Sequence, residues 1–196
     1  MVLSIGHIST CDVHRTATLL QQLSITGKFA LMTKYAVTLR ALETGDMGFI
    51  EHLYATSRAF EMSHSGWPAD EIQRFLSQQF NFQHAYYQQH YPAADFCVIE
   101  AGGQPIGRLY LNWGSARLNI IDIALLPEFQ GQGIGTDLIH QQLYRADQLG
   151  LAVELFVENY NPAQRLYTRA GFEITDQNGV YLRMRREAAK PAARIA

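Results

Sequence analysis

The sequence predicts an α/β fold, a mixed central β-sheet flanked by helices in the order β-α-α-β-β-β-α-β-α-β-β. Three observations carry that prediction. Strand-like segments gather in the middle of the chain and then alternate with helical ones, the pattern of a mixed sheet covered on both faces. The run Ile120-Ile121-Asp122-Ile123-Ala124-Leu125-Leu126 is almost continuously apolar, as expected of a central strand buried on both sides. A glycine-rich turn then leads into an amphipathic stretch that stops at Gly150.

The elements follow in order. Residues 1–31 show only weak patterning and read as a peripheral N-terminal extension or an over-extended start, with the functional domain spanning 32–186. Val37 and Leu39 alternate with Thr38 and Arg40 in a first strand. Asp46 is placed to cap a helix along which Ile50, Leu53, Tyr54, Ser57 and Phe60 follow at helical spacing. Trp67-Pro68-Ala69-Asp70 opens a second helix through about Gln89, closed by Tyr91-Pro92. Strands follow at Asp95 to Ala101, Ile106 to Trp113 and Arg117 to Leu126, separated by Gly102-Gly103-Gln104-Pro105 and Gly114-Ser115 turns. A helix from about Gly133 to Leu149 presents Ile139, Leu143, Ala146 and Leu149 inward. Ala152 to Glu158 is a buried strand, and Asn161-Pro162 starts a short helix that Gly171 ends. Phe172 to Thr175 and Val180 to Arg185 form a closing hairpin, and residues 187–196 read as a flexible tail.

Composition narrows the function classes. The chain has 196 residues, 47% hydrophobic and 17% charged, with net charge −2. That balance gives no large nucleic-acid footprint, and the Arg183, Arg185, Arg186 cluster reads as a solvated strand end. Cys11 and Cys97 make neither a disulfide framework nor metal-ligand spacing, and the seven histidines are scattered, so no metal is expected. No apolar run reaches the roughly 20 residues that span a bilayer, and no basic n-region precedes an apolar stretch. The expected setting is cytoplasmic, with no membrane partner.

The glycine-rich turn carries the chemistry. In Pro127-Glu128-Phe129-Gln130-Gly131-Gln132-Gly133-Ile134-Gly135-Thr136, three glycines alternate between a buried strand and a helix start. Glycines admit close backbone approach, and the helix start offers free N–H groups with a partial positive charge, so the turn suits phosphates. No Gly-Lys-Ser/Thr follows, and Thr136 stands where a dinucleotide fingerprint needs its third glycine. The pattern Gln130-x-x-Gly133-x-Gly135 instead resembles the pyrophosphate loop of the GCN5-related N-acetyltransferases (GNAT). Ile123-Ala124-Leu125-Leu126-Pro127 is similar to the strand before that family's loop. Asn161-Pro162-Ala163, Leu166-Tyr167 and Gly171-Phe172 are similar to its second cofactor segment, and the resemblance runs from about Tyr35 to Arg185.

The resemblance implies acetyl-CoA as cosubstrate and direct attack of an amine on its thioester. It implies that Ile123 and Leu125 present backbone groups to the pantetheine arm, which pairs there almost like an added strand. Gln130, Gly131, Gly133, Gly135 and Thr136 would hold the pyrophosphate, and Asn161 would contact the pantetheine or simply cap its helix. Arg165 and Arg169 would be surface charges or would meet the adenosine 3′-phosphate. Tyr167 matches the tyrosine the family often sets beside the cofactor sulfur, where a phenol can donate a proton to the leaving thiolate. Asp122, the one charge in the apolar run, is either an acceptor for the amine's proton or a structural carboxylate, and Glu158 is a weaker alternative base. The acceptor region is expected between Phe60 and Tyr91, where Glu61, Asp70 and Glu71 could attract a cation and Trp67, Tyr86 and Tyr87 could line a cleft. No pattern names the amine. Many members are dimers, which leaves a homodimer open, although no stripe of residues shows an interface. A non-catalytic module that keeps CoA as a regulatory ligand is the alternative.

Overall fold

The computed structural model describes residues 36–189. The expected extension, residues 1–31, and the domain start near Met32 lie outside the described residues. Among these, the strands are β1 (Val37–Ala41), β2 (Asp95–Ala101), β3 (Gln104–Trp113), β4 (Arg117–Leu125), β5 (Ala152–Glu158), β6 (Glu173–Asn178) and β7 (Tyr181–Arg186). The helices are α1 (Met47–Ser63), α2 (Ala69–His90), α3 (Ile134–Gln148) and α4 (Gln164–Arg169). The strands form one mixed sheet in the order β1-β2-β3-β4-β5-β7-β6. Only β4 and β5 run parallel; every other neighbouring pair is antiparallel.

Strand alternation divides the sheet into two cores. Ile99, Leu109, Leu111, Leu118, Ile120, Val153 and Leu155 point to the face covered by α3 and α4, where Ile134, Leu138, Ile139, Leu143 and Tyr167 meet them. On the other face Val98 packs with Ile50 and Tyr54 of α1 and Leu76 and Phe80 of α2. A two-residue turn at Gly102 (φ 59°) and Gly103 (φ 81°) joins β2 to β3, the left-handed conformation that tight hairpins need.

The element order matches the sequence reading, and the differences are local. Asp46 stands at the start of α1 but makes no side-chain cap. Its carboxylate instead receives two bonds from Arg40 (2.6 and 2.7 Å) and the Glu43 N–H, since a guanidinium outcompetes a lone amide. Phe60 is 79% exposed and Leu149 58% exposed, because α1 turns away from the core in its last turns and Leu149 falls one residue beyond α3. Pro162 lies in the turn ahead of α4 and not within its first turn. The three C-terminal arginines are structural: Arg183 pairs with buried Glu154 (2.6 Å), Arg185 with Glu187 (2.6 Å), and Arg186 binds Asp147 through both oxygens. The Ala189 N–H also reaches Asp147 (2.8 Å), so residues 187–189 are held, and 190–196 lie outside the described residues.

β4 is the element on which the site depends, and Gly107 of β3 sets its approach. A Cβ on Gly107 would stand 2.3 Å from the Ala124 carbonyl oxygen and 2.8 Å from the Leu125 side chain. Only a glycine admits so close a neighbouring backbone. Gly107→Ala is expected to destabilise the fold by about 1–3 kcal/mol by pushing β4 outward. Urea denaturation would show this as a lower midpoint at unchanged slope.

Candidate active site

β4 and β5 begin as a parallel pair and then part. Their pairing runs from Arg117↔Ala152 to Ile120↔Leu155 and goes no further. β4 continues to Leu125 on β3 alone, and β5 continues to Glu158 on β7 alone. The cause is visible in the β3–β4 register, which shifts between Tyr110↔Asp122 and Leu111↔Ile120. Ile121 is therefore an extra residue in β4, and such a bulge bends its strand. The bend falls where contact with β5 ends, so a V-shaped gap opens in the middle of the sheet. This explains why Ile121, Ile123 and Leu125 are only half-buried, where continuous apolarity predicted burial on both faces.

The backbone of β4 inside the gap has a definite orientation. The Leu126 N–H bonds the Ile106 carbonyl, which makes Leu125↔Gly107 a pair whose own N–H and C=O groups turn away from each other. The same alternation turns Ile123 the same way. Both residues thus present peptide groups to the gap, and the Leu125 carbonyl is already used there by Gln130 Nε2 (2.7 Å). Gln130 consequently ties the loop to the strand.

Beyond β4 lies the glycine turn. Gly131 (φ 69°) and Gly133 (φ 85°) both adopt the left-handed conformation, and neither has a heavy atom within 4 Å of where a Cβ would be. Gly133 is the residue before the first turn of α3, which has no side-chain cap. Gly135 would meet only Leu125, at 3.9 Å, and Thr136 is half-buried in the first turn. Uncapped N–H groups, a helix dipole and open space coincide at this point, and the residues fit a phosphate-bearing group.

The gap opens into a cavity of about 190 Å³ whose lining includes Tyr87, Asp122, Ile123, Glu158, Asn161 and Tyr167. The structure therefore brings together both catalytic candidates and the alternative base. Tyr167 is buried from α4, its ring edge-on to Phe172, and its hydroxyl has no hydrogen-bond partner among the described residues. Burial, with a smaller contribution from the Asp122 charge, pushes its phenol up to about 12. Asn161 Oδ1 accepts the Ala163 N–H (2.9 Å), so it shapes the turn before α4 while lining the cavity.

Asp122 is not a solitary carboxylate. Its Oδ2 receives Arg108 Nη2 (2.7 Å) and the Tyr87 hydroxyl (3.3 Å). Arg108 is itself buried and also donates to Gln83 Oε1 (2.9 Å). Glu158 faces Arg58 of α1, whose two terminal nitrogens both lie 3.2 Å from Oε1. Arg58 and Arg108 are the site residues that sequence reasoning missed. Of the acceptor candidates, Tyr87 lines the cavity; Asp70 pairs with Arg74, Glu61 with Arg58, and Trp67 lies edge-on to Phe75. Arg165 and Arg169 are exposed.

Two buried phenols, Tyr110 and Tyr167, and the half-buried Tyr87 give the fold an alkaline limit. Burial raises Tyr87 well above the ordinary phenol range and pushes Tyr110, like Tyr167, up to about 12. A raised folded value means that the stability is complete below pH ~10, where unfolded phenols stay protonated, and drains as pH climbs from there. Each phenol is expected to remove up to about 1.4 kcal/mol per pH unit between ~10 and its own folded value, about 12 for Tyr110 and Tyr167. Urea titrations at pH 8 and pH 11 check this, and Tyr110→Phe should reduce the slope.

Among the described residues no cluster of His, Cys, Asp and Glu could hold a metal, and no helix is long and apolar enough to cross a membrane. None of the curated proteins compared matches the chain in sequence. Solved structures share its fold. PaiA N-acetyltransferase from Thermoplasma acidophilum, in complex with coenzyme A, gives a TM-score of 0.60 at 17% identity over 78% of this chain and 99% of that one. An acetyltransferase from Thermus thermophilus gives 0.58 at 15% identity over 80% and 99%. A GCN5-related N-acetyltransferase from Rhodopseudomonas palustris gives 0.57 at 18% identity over 82% and 99%. The family model of the GNAT acetyltransferases matches residues 60–172, more than half of the chain and all of the gap, the glycine turn and Tyr167. With loop, gap and family match in agreement, the chain belongs to the GNAT acetyltransferase family.

Proposed function

We propose that the chain transfers the acetyl group of acetyl-CoA directly to a primary amine held in the same cleft. The observation that carries this reading is the β4–β5 gap, which leads from an open glycine turn to a cavity holding a buried phenol and two carboxylates. Acetyl-CoA supplies an activated acetyl group as a thioester. The uncapped start of α3 with Gly131, Gly133, Gly135 and Thr136 would hold its pyrophosphate. The Ile123 and Leu125 peptide groups and Asn161 would align the pantetheine arm.

The side chains then divide the proton traffic. Tyr167, protonated throughout the physiological range, donates to the departing thiolate. Asp122 uses Oδ2 for Arg108 and Tyr87, which leaves Oδ1 to take the amine's proton directly or through water. Arg108 holds that carboxylate in place, and Arg58 holds the Glu158 carboxylate beside the same cavity. The cysteine count supports a reducing, cytoplasmic setting.

The test combines a thermal shift with a thiol-release assay on a panel of amines. CoA at about 100 times its Kd should stabilise the protein by about 2.7 kcal/mol. Amine-dependent thiol release should accompany it. Stabilisation with no release on any amine would favour the module that keeps CoA without turnover. No stabilisation would remove the cofactor reading altogether.

A further inference from the structure

A second, larger cavity of about 600 Å³ lies on the same sheet face as α1 and α2, over the first half of β4 and β5. Asn112, Arg117, Asn119, Glu154, Phe156 and Arg183 line it. Phe156 also lines the catalytic cavity, and Glu154, Phe156 and Glu158 alternate along one face of β5. The two cavities therefore adjoin at Phe156 and together line a groove along this face of β5, with Glu158 in the reacting cavity and Glu154 in the far one. Four residues of strand separate the two, about 13 Å.

The far end has unmet chemistry. Glu154 is buried and is taken by Arg183 at 2.6 Å. Arg117 stands 3.9 Å from the other Glu154 oxygen and remains half exposed, so one carboxylate is shared between two guanidiniums lining the cavity. Arg185 lies 4.0 Å from Glu154 but is occupied by Glu187 at 2.6 Å. Asn119 Oδ1 is buried with no hydrogen-bond partner among the described residues. Arg117 calls for an anion, Asn119 for an N–H donor, and half-exposed Phe156 for apolar contact.

We infer that this groove binds the acceptor as an extended peptide, its free amine in the catalytic cleft and an acidic side chain three or four residues further on, beside Arg117. A peptide backbone supplies the N–H for Asn119, and an extended chain covers about 13 Å in that number of residues. The inference rests on the transferase reading and names its acceptor class.

The experiment uses two synthetic libraries, Xaa-Xaa-Xaa-Glu-Ala-amide and Xaa-Xaa-Xaa-Gln-Ala-amide, with the first three positions randomised. Each is incubated with the full chain and acetyl-CoA, and acetylated peptide is counted by mass spectrometry. The Glu library should be acetylated at least tenfold faster. Arg117→Gln should bring the ratio close to one while the CoA-induced thermal shift persists, and Arg117→Lys should restore most of the preference. Equal rates on both libraries would overturn the acidic side chain beside Arg117, and no acetylation of either with the CoA shift intact would overturn the peptide assignment; both results leave the transferase reading standing. Loss of the CoA shift in the unmodified chain would overturn that reading, and this inference with it.

Discussion

Replacing Asp122 by alanine is expected to cost about 3–5 kcal/mol of stability, because it strands a buried charge. Arg108 is 4% exposed and reaches two acceptors, Gln83 at 2.9 Å and Asp122 at 2.7 Å. Gln83 is neutral, so among the described residues Asp122 is the anion bonded to the guanidinium, which also lies 5.3 Å from the centre of the Tyr110 ring. Its loss also unseats the Tyr87 hydroxyl. Urea denaturation measures the effect, and a loss below about 1 kcal/mol would mean that Arg108 finds another anion or water. Asp122→Asn separates structure from chemistry. The amide oxygen still accepts from Arg108 but supplies no charge, so the stability loss should be smaller than for alanine without vanishing, while a group that takes the amine's proton is gone. Turnover of folded Asp122→Asn should fall ~10²-fold or more at neutral pH. Unchanged turnover would assign Asp122 a structural role alone.

That outcome bears on what the sequence can disclose. The glycine turn was legible because alternating glycines mark an open, tightly turned backbone: Gly131 and Gly133 sit at positive φ, which by itself favours glycine, and have empty space beside them. Asp122 stood out as one charge in an apolar run. Its partner did not, because Arg108 occupies a strand in which an isolated arginine reads as solvent-facing. Arg58 was hidden in the same way on a helix surface. The gap was only partly legible. Apolar residues marked β4 as central, but the bulge at Ile121 is a property of its register against β3, and register is set across strands and not along one. Leu149 was misplaced for a related reason. Helical periodicity tells which side of a helix faces inward, and it does not tell where the helix leaves the core.

Tyr167→Phe should separate catalysis from binding more cleanly than any other single change. The ring packs against Phe172 in the core and would be retained. The hydroxyl has no partner among the described residues, so its removal leaves no buried group stranded, and stability should change little. What disappears is a phenol pushed up to about 12, a neutral proton donor that keeps its proton wherever the enzyme works. If Tyr167 protonates the departing thiolate, kcat should fall by ~10²–10⁴ with the CoA-induced thermal shift intact. The loss should also depend on the leaving group: an acyl thioester whose thiol has a lower pKa needs less help, so the gap between Tyr167→Phe and the unmodified protein should narrow with it. A uniform loss across thioesters would point to positioning by the hydroxyl, and undiminished turnover would remove Tyr167 from the reaction.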